Sequence, residues 1–141
     1  MVQPSIEAAL RDRSISGLSV LHVVIVDPLA LAPEATFEQA VLVERSIGPR
    51  DQWDVDYAAY AYAKARLSWT YHKDSRLVVW TEPQQQQPGD PPGWGAVWLD
   101  GLIVAASGAQ PIWDEAFSLS IAAALRALAW SRVSRLLNEA A

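Results

Sequence analysis

The sequence predicts a single α/β (α+β) domain, a three-layer α/β/α sandwich whose five-stranded, mostly antiparallel sheet carries helices on both faces. Three observations lead there. Short aliphatic runs bounded by Gly, Pro or Asp alternate with alanine-rich stretches of helical period, in the order α, β, β, α, β, β, β, α. The 141 residues are 51% hydrophobic and 19% charged, which suits one compact core and is too little chain for two. Asp100-Gly101 sits between two aliphatic runs and marks a hairpin, so the strands on either side of it are antiparallel.

Each element has its own signal. Residues 4–11 place Ile6, Ala9 and Leu10 at spacings of three and four, a short helix that Gly17 closes. Residues 18–26 form an almost unbroken run of β-branched residues and leucine, interrupted only by His22 and stopped at Asp27-Pro28. Such a run suits a strand covered on both faces. After a stretch punctuated by Pro28 and Pro33, residues 37–46 read as a second strand, antiparallel to the first, with Val41 and Val43 on one side and Glu38, Ala40, Leu42 and Glu44 on the other. Asp54 is placed to cap a helix over residues 55–71, whose stripe of Ala58, Ala61, Tyr62, Ala65 and Trp69 faces the sheet. Tyr57, Tyr60, Lys64 and Tyr71 share the neighbouring face.

Residues 77–81 read as a short third strand, and 82–93 as a loop rich in Gln and Pro, which neither helix nor ladder tolerates. The hairpin follows, 94–99 and 102–107. A last helix over 114–138 would span ~36 Å. Its apolar stripe is Phe117, Ile121, Ala124, Leu125, Leu128 and Ala129, and Arg126, Arg132 and Arg135 gather toward its C-terminus, where cations suit the dipole. Its continuation through Trp130, Val133, Leu136 and Leu137 exceeds what one small domain needs to cover, and predicts a homo-oligomer.

Composition narrows the function classes. A net charge of −5 repels polyanions, so nucleic acid is not an expected partner. No aliphatic run approaches the ~20 residues of a membrane span, and residues 1–14 lack a signal-peptide core; the expectation is a cytoplasmic protein with no membrane partner. With no cysteine, the chain has no disulfide, thiolate nucleophile, Fe–S cluster or covalent c-type haem. Two histidines fifty residues apart make no spaced ligand pair, and Asp51, Asp54 and Asp56 lack the glycine and final glutamate of a calcium loop, so no metal site is expected. There is no Gly-rich phosphate loop. Ser107, in Ala-Ala-Ser-Gly-Ala, lacks a nucleophile elbow.

Ser107-Gly108, then five residues with Pro111 third among them, then Asp114-Glu115 and an alanine-rich helix, resemble the GlcG/HbpS-like family. Upstream, Val24-Ile25-Val26-Asp27, Ala63-Lys64-Ala65 and Asp100-Gly101 occur in the same order, so the resemblance covers most of residues 17–128. It implies a single GlcG/HbpS-like domain over 1–141, a profilin-like fold, assembly into dimers or larger oligomers, and haem as one candidate cofactor. Where that family has glycine-rich turns beside its ligand site, this chain has Pro28-Leu29-Ala30 and the 82–93 segment.

The leading functional expectation is therefore a small-molecule-binding protein for a flat, aromatic or acidic ligand. Its site residues are Tyr57, Tyr60 and Lys64, with Trp94 and Ser107 opposite and His22 as a further candidate. Lys64 would supply the charge for a carboxylate. The alternatives are an enzyme on the same fold, moving protons with Lys64, a tyrosine or His22, and a structural or partner-binding subunit. Trp80, Trp94 and Trp113 adjoin loops and are placed to line a pocket or an interface.

Overall fold

The computed structural model describes residues 2–27, 35–85 and 93–140. Among them the chain is of the α+β class. Strands β1 (Leu21–Val26), β2 (Val41–Ile47), β3 (Ala96–Leu99) and β4 (Leu102–Ser107) form one sheet in the order β2-β1-β4-β3, every neighbouring pair antiparallel. The helices are α1 (Gln3–Leu10), α2 (Phe37–Ala40), α3 (Tyr57–Tyr71), α4 (Ser75–Thr81) and α5 (Pro111–Ala140).

Strand alternation divides the interior in two. Leu21 and Val23 of β1, Val97 of β3, and Val104 and Ala106 of β4 meet Ile6 and Leu10 of α1 and Phe117 and Ala122 of α5. The intervening residues Val24, Val26, Ala96, Ile103 and Ala105 meet Ala61 and Ala65 of α3 and Phe37 of α2. Because both faces are buried, β1 and β4 read as continuous apolar runs rather than alternating ones. The hairpin is as expected: Leu99 pairs with Leu102, and Asp100 and Gly101 have φ of +53° and +91°, the left-handed pair of a type I′ turn.

Three expectations are corrected. The fifth strand expected over residues 77–81 is helix α4, leaving four strands among the described residues. A five-residue apolar run cannot by itself separate strand from buried helix. Here the exposed edge of β3 is satisfied by the start of α4 instead. The Asp74 carboxylate accepts from the Trp98 N–H at 2.9 Å, and the Ser75 hydroxyl accepts from the Ala96 N–H at 3.1 Å. Side chains thus supply the bonds a neighbouring strand would have made.

The second correction concerns residues 37–40, expected as strand, which make one helical turn before β2. Thr36 and Gln39 close it as a capping box, each side chain bonded to the other's backbone N–H. Third, α5 opens at Pro111 rather than Asp114, since proline suits a first turn whose N–H groups lack partners. Its 30 residues span ~45 Å against ~20 Å for a six-residue strand. The expected apolar stripe holds as far as Leu125, then Leu128 and Ala129 stand exposed, as do all residues from 126 to 140 except Ser134. The turn expected after β1 and most of the 82–93 loop lie outside the described residues.

Candidate functional site

At the end of the sheet where β4 finishes and β3 begins, α3 and α5 converge. Lys64 occupies the buried stripe of α3 with Ala61, Ala65 and Ser68, a 61-64-65-68 spacing that puts it on the sheet-facing side and not on the tyrosine face assigned to it. Its Nζ donates to the Ala106 carbonyl and to Asp114 Oδ2, both at 3.1 Å. The other carboxylate oxygen of Asp114 accepts from the Ala109 N–H at 2.9 Å. With Lys64 and Asp114 side chains only 4% and 3% exposed, this is a buried ion pair.

Burial dominates the electrostatics of the pair. It pushes the Asp114 carboxyl up to about 6 against the pull of Lys64, and holds the Lys64 ammonium below its ordinary value against the pull of Asp114. Lys64 passes beside Gly95, where an added Cβ would lie 2.8 Å from Lys64 Cδ and 2.9 Å from its Nζ. The Ser118 hydroxyl donates to the Gly95 carbonyl at 2.5 Å. The corner joins α3, α5 and the hairpin, and its cation is already neutralised. Lys64 thus lies beside Gly95 and bonds the Ala106 carbonyl, with its charge paired to Asp114.

His22 lies on the α3 face of β1, paired across the sheet with Ser107 on one side and Ser46 on the other. It is buried. Its Nδ1 is 2.8 Å from the Ser46 hydroxyl and its Nε2 3.0 Å from Glu44 Oε1. The Glu44 carboxylate is held below its ordinary value by a hydrogen bond from Tyr62, with burial opposing and His22 assisting. Tyr62 itself is pushed up to about 12 by burial and by that bond.

The His22 ring meets Trp53 edge-on at 5.7 Å, Trp53 meets Tyr57 edge-on at 5.5 Å, and the Arg50 guanidinium stands 4.5 Å from the Trp53 ring centre. Tyr57 donates to Asp54 at 2.5 Å, and burial together with that carboxylate pushes its phenol up to about 12. Among the described residues, the buried Trp53 indole N–H has no hydrogen-bond partner.

Haem does not fit at His22. Both ring nitrogens are engaged and the ring is enclosed between Ser46, Glu44 and Trp53, so axial ligation through either nitrogen would break its hydrogen bond and displace an enclosing side chain. His72, exposed at the end of α3, stacks on Trp98. Among the described residues, no group of three His, Cys, Asp or Glu side chains is close enough to hold a metal ion.

Elsewhere, Arg76 lies between the rings of Trp80 and Trp94, 4.6 and 5.1 Å from their centres, and makes a two-nitrogen pair with Glu115. Trp94 is therefore packed against Arg76 and Trp80 of α4. Tyr60 is half-buried, and Ser107 is buried.

An apolar recess lies on the opposite face of the sheet. A groove of about 760 Å³ is floored by Ile25, Val43, Leu99 and Leu102 and walled by Leu125, Trp130 and Val133 of α5, with Asp100 and Arg126 paired at its rim. None of the ligand-site residues expected from sequence lines it, though Trp130 and Val133, expected at an interface between copies, do. Lys64's partner Asp114 is expected from sequence only as the first residue of the last helix, and Ser46, Glu44 and Trp53 around His22 are not among the expected site residues. The 61-64-65-68 spacing was the available signal for Lys64; the groove has no local signal, because it is assembled from both ends of the chain. No helix among the described residues is long and apolar enough to cross a membrane. No family model, curated protein or solved structure matches this chain.

Proposed function

We propose that this chain is a partner-binding subunit that self-associates, built on the profilin-like α/β/α sandwich of a divergent GlcG/HbpS-like protein and acting in the cytoplasm. The observation that carries the reading is the projecting half of α5. Leu128, Trp130, Val133, Leu136 and Leu137 are each between 45% and 70% exposed on one helix, beside an apolar groove. Monomeric proteins rarely leave a contiguous apolar surface of that extent uncovered. Helices of this kind also depend on packing for their stability. Sedimentation velocity at micromolar concentration tests it: the expected mass is a multiple of 15.4 kDa, and a lone 15.4 kDa species would overturn it.

A second reading keeps the flat, aromatic or acidic small molecule. The unpartnered Trp53 N–H beside Arg50, with Tyr57 and His22 edge-on to the same indole, favours it, because an acceptor on such a ligand would gain a donor and a nearby cation. Native mass spectrometry of the purified chain should then show a retained ligand that Arg50→Ala loses; a mass equal to the bare polypeptide speaks against it. The enzymatic reading has weaker support, since Lys64 is neutralised and both nitrogens of His22 are occupied. Haem is not part of this proposal.

A further inference from the structure

We infer that two copies pair about a two-fold axis close to Val133, each laying its α5 arm across the groove of the other, so that the partner of this surface is the same surface on a second copy. The inference rests on the self-association proposed above and adds its geometry. A projecting apolar ridge and an apolar recess lie side by side on one face: Trp130 and Val133 form both the lip of the groove and the ridge beyond it. When ridge and recess adjoin, a single two-fold rotation brings each ridge to the other recess and leaves no unfilled end.

The area is sufficient. The exposed parts of Leu42, Val43, Trp130, Val133, Leu136 and Leu137 amount to roughly 600 Å² per copy, at the lower end of the about 600–1,000 Å² per partner that a stable complex buries. A small ligand in the groove would leave Leu136 and Leu137 uncovered, since neither lines it. The charges also agree. Residues 126–139 carry Arg126, Arg132 and Arg135 against Glu139 alone, in a chain whose net charge is −5, so the arm is drawn to the acidic body of a second copy. Among the described residues that line the groove, the only charged side chains are Asp100 and Arg126, already paired with each other at 3.1 Å. Trp130, 70% exposed in the single chain, is the anchor of such an interface.

The absence of cysteine makes the test direct. Single-cysteine variants Trp130→Cys and Val133→Cys of the full chain are oxidised in dilute solution, with Ser120→Cys, exposed on the sheet-bound half of α5, as the control. Near a two-fold axis a residue approaches its own copy within the ~7 Å between Cα atoms that a disulfide requires. The expected result is a linked dimer from position 130 or 133 and none from 120. Trp130→Glu, at an exposed position and with folding checked by circular dichroism, should weaken association at least about thirtyfold. An oligomer that persists in Trp130→Glu, with no linkage at 130 or 133, overturns this pairing while leaving self-association through another face. A chain that sediments only as a monomer overturns both.

Discussion

Along α5, residues 111–125 lie on the sheet with Asp114, Phe117, Ser118 and Ala122 buried, whereas residues 126–140 leave the sheet with Leu128, Trp130, Val133, Leu136 and Leu137 exposed. The second half carries nearly as many large apolar side chains as the first, five against six, and is the less buried. The first contains two of the most enclosed polar groups in the domain, Asp114 and Ser118, each matched to a partner from α3 or the hairpin. Burial along one continuous helix therefore follows where the sheet ends, not how hydrophobic the residues are, and a helix twice as long as its strands projects an apolar arm.

The contrast is sharpest in paired truncations. Phe117→Ala removes a buried ring from the core shared with α1 and should cost about 3–5 kcal/mol in urea unfolding. Leu136→Ala, made in the Trp130→Glu background so that association does not contribute, should stay within about 0.5 kcal/mol. Similar costs at both positions would mean that the arm folds back onto its own domain.

Within the packed half, Asp114→Ala strands the Lys64 ammonium in the interior and should destabilise by about 3–5 kcal/mol. Lys64→Met should cost clearly less. The carboxyl left behind, already pushed up to about 6 by burial, can take a proton, and the methionine keeps most of the apolar stem. Equal losses in the two variants would contradict that asymmetry.

At the rim of the groove, Gly101 holds φ at +91°, so Gly101→Val should cost roughly 1–2 kcal/mol in thermal or urea unfolding through backbone strain. It should act on the fold and not on the arm. Loss of self-association in a still-folded Gly101→Val chain would show that the turn itself touches the partner.

The smallest effect is expected on the opposite face of the sheet. Because the bonds from Tyr62 and His22 lower the Glu44 carboxyl, its stabilising contribution is fully present above about pH 4.5 and disappears as pH falls through its lower folded-state value. Stability measured from pH 6 to pH 3 should therefore converge for the native chain and Glu44→Gln toward the acid end. The difference at pH 6 should be at most about 1 kcal/mol, since the carboxylate side chain is 42% exposed. Curves that diverge on acidification would refute this sign.

Much of the fold was legible in local chemistry. Asp100-Gly101 demanded two left-handed residues and produced the hairpin; the β-branched run before Asp27 produced β1; the alanine spacing between 58 and 65 produced a helix able to approach the sheet closely. Helix α4 was not legible, because Leu77-Val78-Val79-Trp80-Thr81 favours a strand by composition and only the Asp74-Ser75 pair before it signals a helix start. Helical period places Lys64 on a face with Tyr57, Tyr60 and Tyr71, and the structure turns it inward.

By itself the sequence determined the class, the antiparallel pairing of the hairpin, the presence of a long last helix and the excess of apolar surface along it, since each follows from the spacing of neighbouring residues. Only the tertiary structure decided that Asp114 lies 3.1 Å from Lys64 across fifty residues of chain, that His22 is held between Ser46 and Glu44, and that β1, β2, the hairpin and α5 enclose one groove. Those contacts join residues far apart in the chain, and their positions are set by how helices of unequal length dock on a sheet of limited width. Local propensity carries no record of that geometry.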